Sequence, residues 1–178
     1  GAILASIDAS RALLARDDLE KALAILEKAA PFETFDLAEV LDELGTIART
    51  QGRLVDALAL HTHARSIYRR NLPEAHASVV AATLHLADDH LAQGASEAAE
   101  TLLSASLHAQ EQAPTAPKTL APTRFLLART MIDPRHLATA DRRRHALALA
   151  ESALAAERLS PGHRAQAQEI STWLQHHR

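Results

Sequence analysis

Residues 40–52 read VLDELGTIARTQG, and 42 positions later residues 82–94 read ATLHLADDHLAQG. Both stretches end in a Gln-Gly dipeptide. Several other residues recur at the same interval: Pro31 and Pro73, Leu44 and Leu86, Ala57 and Ala99, and Leu60 and Leu102. A fixed period of about 20 to 50 residues is typical of solenoid proteins, in which each unit buries its apolar face against its neighbours. The chain is therefore predicted to be a repeat array.

The composition favours helices that pack through small side chains. Hydrophobic residues make up 47% of the 178 residues, which is enough to bury a core, whereas aromatic residues make up only 3%. The core must therefore consist mainly of alanine and leucine, which are the best helix formers. We predict an all-α fold.

Charge and cysteine content exclude several classes of function. The net charge is −3 and the basic residues are scattered, so the footprint of a nucleic-acid-binding protein is missing. The dense cluster Arg142-Arg143-Arg144 follows Asp141 and is interpreted as a solvated helix face. The absence of cysteine excludes disulfides and thiolate metal sites. No apolar run approaches the roughly 18 residues of a membrane span. We expect a cytoplasmic protein that binds neither nucleic acid nor membrane.

The breaks between apolar runs divide the chain into helix pairs. We predict one domain over residues 1–178, with repeats at about 1–31, 32–72, 73–112 and 117–158 and a capping helix at about 162–177. Gly52 and Gly94 are predicted to close the first helix of their pairs in a left-handed conformation. Ser96 is predicted to cap the helix that follows. Because the chain begins with Gly1 rather than Met, we interpret it as a piece of a longer protein.

Two segments depart from the repeat. Residues 111–122, EQAPTAPKTLAP, carry three prolines and are predicted to form an enlarged loop, or alternatively a domain linker. Residues 132–140 occupy the position of the Gln-Gly turn in the fourth pair, and they predict a longer turn there.

The helix pairs resemble tetratricopeptide repeats. That signature has a small residue in the first helix, a glycine at the turn and an alanine early in the second helix, here Gly45, Gly52 and Ala57, then Ala87, Gly94 and Ala99. The long interval, the Gln-Gly turn and Pro73 before the first helix are similar to the kinesin-light-chain type. The resemblance implies an α-solenoid, a right-handed superhelix of about four helix pairs with a C-terminal capping helix. It also implies a scaffold that binds other proteins.

The C-terminal third resembles the tetratricopeptide tails of bacterial serine/threonine protein kinases. The similar stretches are RFLLART at 124–130, DRRRHALALAESALAA at 141–156 and EISTWL at 169–174. The sequence has no kinase Gly-rich loop, HRD or DFG segment. This resemblance implies that the chain is the regulatory or scaffolding extension of a larger signalling enzyme.

No arrangement of residues predicts catalysis, a cofactor or a metal. His61 and His63 are two positions apart on a predicted helix, so they point in different directions. His85 lies at i+4 from Asp89 and at i+3 from Asp88, which could place an imidazole and a carboxylate on one helix face. Two ligands are too few for a metal site without a third from a neighbouring helix, so we interpret these residues as surface polar groups. We therefore expect no enzymatic activity from this chain.

The resemblance assigns the candidate site to the groove formed by the first helices of the repeats. Arg49 and Arg129 are expected to hold the backbone or a carboxylate of a peptide, while apolar residues receive its side chains. The groove residues are Ile7 and Arg11, then Asp42, Thr46 and Arg49, then Leu84, Asp88 and Leu91, then Phe125 and Arg129. Three functions are left open: an interaction module for a protein or peptide, a regulatory tail, or a unit that self-associates by end-to-end stacking. The alternative is that these residues form the solvated inner face of a spacer.

Overall fold

The computed structural model describes residues 34–114, 116–133, 139–159 and 162–177, together with Lys21 and Ala24. Within these residues the chain forms seven α-helices and no strand, which confirms the all-α prediction. The predicted first repeat, about 1–31, otherwise lies outside the described residues. The helices are α1 (Phe35–Thr50), α2 (Leu54–Asn71), α3 (Ala77–Ala92), α4 (Ser96–Gln112), α5 (Pro117–Met131), α6 (Ala140–Arg158) and α7 (Arg164–His177).

The chain divides into two compact units, residues 1–73 and 74–178. In the first unit, α1 packs against α2. The buried face of α1 repeats at helical spacing, which is why this segment folds as an amphipathic helix. It comprises Leu37, Ala38, Leu41, Leu44, Gly45 and Ala48.

Both Gln-Gly turns close a helix through a left-handed glycine. The φ angle is +75° at Gly52 and +82° at Gly94, a region that only glycine enters readily. The N–H of Gly52 donates to the carbonyl of Arg49, and the N–H of the next residue, Arg53, donates to that of Ala48, both at 2.9 Å. This pair of bonds is the Schellman motif, and the turn at Gly94 repeats it. The predicted role of the two glycines is confirmed.

In the second unit, consecutive helices from α3 to α7 pack against one another, and α3 also contacts α5. The core of this unit relies on alanine, as the composition predicts. Its fully buried alanines are Ala87, Ala99, Ala121, Ala128, Ala146, Ala150 and Ala153. Because these side chains are so small, neighbouring helices can pack closely, and larger buried residues such as Leu103 and Ile170 fill the space between them.

The predicted enlarged loop over residues 111–122 is wrong. The helix α4 continues to Gln112 and α5 already begins at Pro117, so the connection is short. Pro117 lies in the first turn of α5, where a backbone N–H has no intrahelical partner and its loss costs nothing. Pro122 lies inside the helix and is exposed. The helix α5 ends at Met131 and α6 begins at Ala140, so this connection has more residues than the two Gln-Gly turns, and residues 134–138 within it lie outside the described residues.

Two further predictions are corrected by long-range contacts. The helix α4 begins at Ser96, so the residue in the cap position is Ala95. The buried Ser96 instead donates a hydrogen bond from its hydroxyl to the buried carboxylate of Asp133. The cluster of three arginines is not uniformly solvated: Arg142 donates from Nε to the carbonyl of Met131 at 2.9 Å and forms an ion pair with Glu100. None of the described helices is long and apolar enough to cross a membrane.

Candidate functional site

A cavity of about 310 Å³ lies between α3, α5 and α7 in the second unit. Four of the predicted groove residues line it: Leu84 and Asp88 from α3, and Phe125 and Arg129 from α5. The remaining lining residues are His85, Ala121, Pro122, Leu126, Glu157, Gln166, Glu169 and Ile170.

The helical repeat explains why these four side chains meet. Leu84 and Asp88 are four positions apart, as are Phe125 and Arg129, so each pair shares one face of its helix. The small residue Ala121 is fully buried on α5, which allows the helix to pack closely. The helices α3 and α5 therefore each present one face to the same cavity.

Arg129 is held over an aromatic ring at the edge of the cavity. Its guanidinium carbon lies 5.9 Å from the centroid of the Phe125 ring, a cation–π contact. Phe125 in turn meets Trp173 of α7 edge to face, with ring centroids 5.8 Å apart. The Arg129 side chain is exposed and forms no ion pair with any residue that the structure describes. An arginine side chain carries five N–H donors.

An interaction between Glu157 and His163 joins the end of α6 to the start of α7. Glu157 is only 4% exposed, and one of its carboxylate oxygens lies 2.5 Å from Nδ1 of His163. Since a buried carboxylate is costly without a partner, this contact helps to hold α7 in place beside the cavity. The cavity lining as a whole contains three carboxylates, from Asp88, Glu157 and Glu169, against the single guanidinium of Arg129.

The predicted residues of the first unit lie along α1, where Asp42, Thr46 and Arg49 are all half-buried. Two of them take part in packing. Nε2 of His61 lies 3.1 Å from the backbone oxygen of Asp42, to which it donates, and 3.5 Å from Oγ1 of Thr46. Burial raises the pKa of Tyr68 to about 12, and the negative charges of Asp42 and Glu39 add to the shift.

The other predictions have mixed outcomes. Leu91 is half-buried, packs against the hydrophobic core and does not line the cavity. Arg11 and Ile7 lie outside the described residues. The interpretation of Asp89 as a surface group is wrong, because Asp89 is fully buried.

Sequence reasoning missed the contribution of α7. Gln166, Glu169 and Ile170 share one face of that helix at spacings of three and four positions, and all three line the cavity. The signal was present in the sequence, as polar residues adjoin the apolar stripe. It was overlooked because the helix was predicted to be only a cap.

Comparison with known proteins agrees with this architecture. A sequence model of the tetratricopeptide repeat matches residues 36–132, more than half of the chain, so the chain belongs to the tetratricopeptide repeat family. Tetratricopeptide repeats mediate protein–protein interactions. No curated protein sequence matches the chain.

Solved structures with the same fold include kinesin-light-chain proteins. BtubC (BKLC) from P. vanneervenii is 19% identical with a TM-score of 0.67; the match covers 86% of this chain and 62% of that one. A protein from Podosopora anserina, classed with kinesin light chains and built of nearly identical TPR-like repeats, is 20% identical with a TM-score of 0.69. That match covers 96% of this chain and 88% of the other, and a variant of the same protein gives a TM-score of 0.71 at 19% identity.

These similarities confirm the predicted repeat type and the α-solenoid fold. At such low identity they concern the fold alone. The chain spans 62% of the length of BtubC. The resemblance of the C-terminal third to kinase tails stays a prediction.

Proposed function

We propose that this chain is a protein-interaction module that binds a peptide segment of its partner in the cavity between α3, α5 and α7. One observation carries the proposal: Leu84 and Asp88 from α3 and Phe125 and Arg129 from α5 line a single cavity. Repeat proteins bind their ligands on surfaces to which successive repeats contribute side chains.

The lining supplies the two kinds of contact that peptide recognition needs. Leu84, Phe125 and Ile170 offer apolar surface to a side chain of the partner. Arg129 offers a planar set of donors to a carboxylate or a backbone carbonyl. Because the guanidinium already rests on the Phe125 ring, less conformational entropy is lost when it binds.

The test begins with selection of binding peptides from a phage-displayed random library against the purified chain. The dissociation constant of a selected peptide is then measured by fluorescence anisotropy for the wild type and for Leu84→Ala. Loss of the apolar contact is expected to weaken binding about tenfold, which corresponds to about 1.4 kcal/mol. The matched control is Leu159→Ala, because Leu159 is 84% exposed and lies outside the cavity lining.

Two results would overturn the proposal. One is a selection that yields no binding peptide. The other is equal affinity for wild type and Leu84→Ala while circular dichroism shows unchanged helical content.

A further inference from the structure

The charged residues around the cavity between α3, α5 and α7 are mostly acidic. The carboxylates of Asp88, Glu157 and Glu169 line it, against the single guanidinium of Arg129. Arg129 rests on the Phe125 ring and forms no ion pair within the described part of the chain, so it neutralises none of the three. The cavity therefore has an excess of negative charge that attracts a cationic group and repels an acidic one.

Glu157 has one carboxylate oxygen that accepts no hydrogen bond. Its side chain is only 4% exposed, and its Oε2 lies 2.5 Å from Nδ1 of His163. Its other oxygen, Oε1, has no donor among the residues that the structure describes. A buried carboxylate is costly unless donors occupy its oxygens. Because Glu157 lines the cavity, a donor that enters the cavity completes the hydrogen bonding of this carboxylate.

Glu169 offers a second carboxylate at the surface of the same cavity. It is exposed on α7 and forms no hydrogen bond or ion pair with any described residue. The lining also contains apolar side chains, among them Leu84, Leu126 and Ile170. Lysine and arginine combine an apolar stem with a cationic end, so a basic side chain matches both the apolar and the acidic parts of this lining.

A metal ion does not match this arrangement. Asp88, Glu157 and Glu169 are too far apart for their oxygens to ligate one ion together. An ammonium or a guanidinium group carries several N–H donors that point in different directions, so it binds carboxylates that do not converge on one point. The spacing of the carboxylates thus favours an organic cation.

We propose that the partner segment inserts a lysine or arginine side chain into the cavity between α3, α5 and α7, where the cationic group donates to Glu157 and pairs with Glu169. Arg129, at the edge of the cavity, then binds a backbone carbonyl of the same segment. This inference rests on the proposed function and specifies the charge of the partner.

Replacing the basic residue of a bound peptide tests the inference. A peptide selected from the random library is synthesised in its original form and with each basic residue replaced in turn by Ala. Dissociation constants are measured by fluorescence anisotropy at about pH 8, where an ordinary histidine side chain is uncharged. One Ala form is expected to bind about tenfold more weakly than the original. Added salt is expected to reduce this difference, because it screens exposed charges.

A double-mutant cycle assigns the contact to the cavity. Glu169→Lys is expected to weaken binding of the original peptide about fivefold, the upper range for an exposed ion pair, and to change binding of the Ala form little. The penalty for the Ala replacement therefore falls from about tenfold to about twofold. Glu97→Lys is the matched control, because Glu97 is exposed on α4 and lies outside the cavity lining, and it is expected to leave the penalty unchanged. Circular dichroism confirms that the helices of both variants are intact.

The outcomes separate this inference from the proposed function. If Leu84→Ala weakens binding but the selected peptides carry no basic residue, or none whose replacement matters, the inference is wrong and the proposed function stands. The same conclusion follows if the Ala penalty is equal for the wild type and Glu169→Lys. If neither Leu84→Ala nor Glu169→Lys changes the affinity, both are wrong.

Discussion

The imidazole ring of His61 lies directly against Gly45, where a β-carbon would be 2.5 Å from Nε2 of the ring. His61 is fully buried in α2, and its donation to the backbone oxygen of Asp42 fixes it beneath α1. The absence of a side chain at Gly45 is therefore what allows the first unit to bury a histidine between its two helices. The small residue that characterises the first helix of a tetratricopeptide repeat has a specific partner here.

Gly45→Ala is expected to destabilise the chain, because a β-carbon at this position clashes with three atoms of the fully buried His61 ring. The clash opposes the gain of about 1 kcal/mol that alanine brings to a helix interior. We expect a net loss of about 1 to 2 kcal/mol in the free energy of unfolding, measured by urea denaturation. Gly162→Ala is the control, since a β-carbon at Gly162 would meet no heavy atom within 4 Å. A Gly45→Ala variant as stable as the wild type would contradict this interpretation of the packing.

The raised pKa of Tyr68 predicts a loss of stability at alkaline pH. Burial and the charges of Asp42 and Glu39 raise this pKa from 10.0 to about 12, so the folded chain holds the phenolic proton more tightly than the unfolded chain does. The stability contributed by neutral Tyr68 is therefore complete below pH 10 and declines as the pH rises from 10 towards 12.

Absorbance of the tyrosinate measures this directly, because Tyr68 is the sole tyrosine of the sequence. The folded chain is expected to titrate close to pH 12 and the urea-unfolded chain close to pH 10. Identical titration curves for the folded and unfolded chains would disprove the shift. In Tyr68→Phe the decline in stability that comes from this ionisation is expected to disappear.

The hydrogen bond between Ser96 and Asp133 predicts a cost for removing one hydroxyl. Both residues are buried, so Ser96→Ala deprives a buried carboxylate of a donor. We expect the free energy of unfolding to fall by about 1 to 3 kcal/mol. Ser104→Ala serves as the comparison, because Ser104 is exposed on the same helix and its loss is expected to change stability by less than about 0.5 kcal/mol. Equal stability of the two variants would mean that the Ser96 hydroxyl contributes nothing.

Features that depend on local backbone chemistry were predictable from the sequence. Gly52 and Gly94 follow apolar helical stripes, and a left-handed glycine is the usual way to end a helix, so their positions and conformations agree with the prediction. The pairing of Leu84 and Asp88 with Phe125 and Arg129 followed from the family resemblance, and these residues do line one cavity.

Features that depend on contacts between distant residues were not predictable. The sequence around Ser96 is typical of a helix cap, but the hydroxyl of Ser96 donates a hydrogen bond to Asp133, which is 37 positions away. The sequence predicts a solvated Arg142, but its guanidinium donates hydrogen bonds to the carboxylate of Glu100 and to the carbonyl of Met131. For α7, the polar residues beside its apolar stripe are a signal in the sequence, but the fact that Glu169 and Ile170 line a cavity together with residues of α3 and α5 depends on contacts between distant segments.

Photo-crosslinking tests the central claim, that a partner peptide lies between α3, α5 and α7. A photoreactive phenylalanine analogue is placed at position 169, which is exposed at the cavity, or at position 159, which is exposed away from it. The chain is then irradiated with a labelled peptide selected from the random library. We predict that the peptide crosslinks at position 169 and not at 159, and that unlabelled peptide competes. Crosslinking at position 159 with none at 169, at undiminished affinity, would contradict the claim.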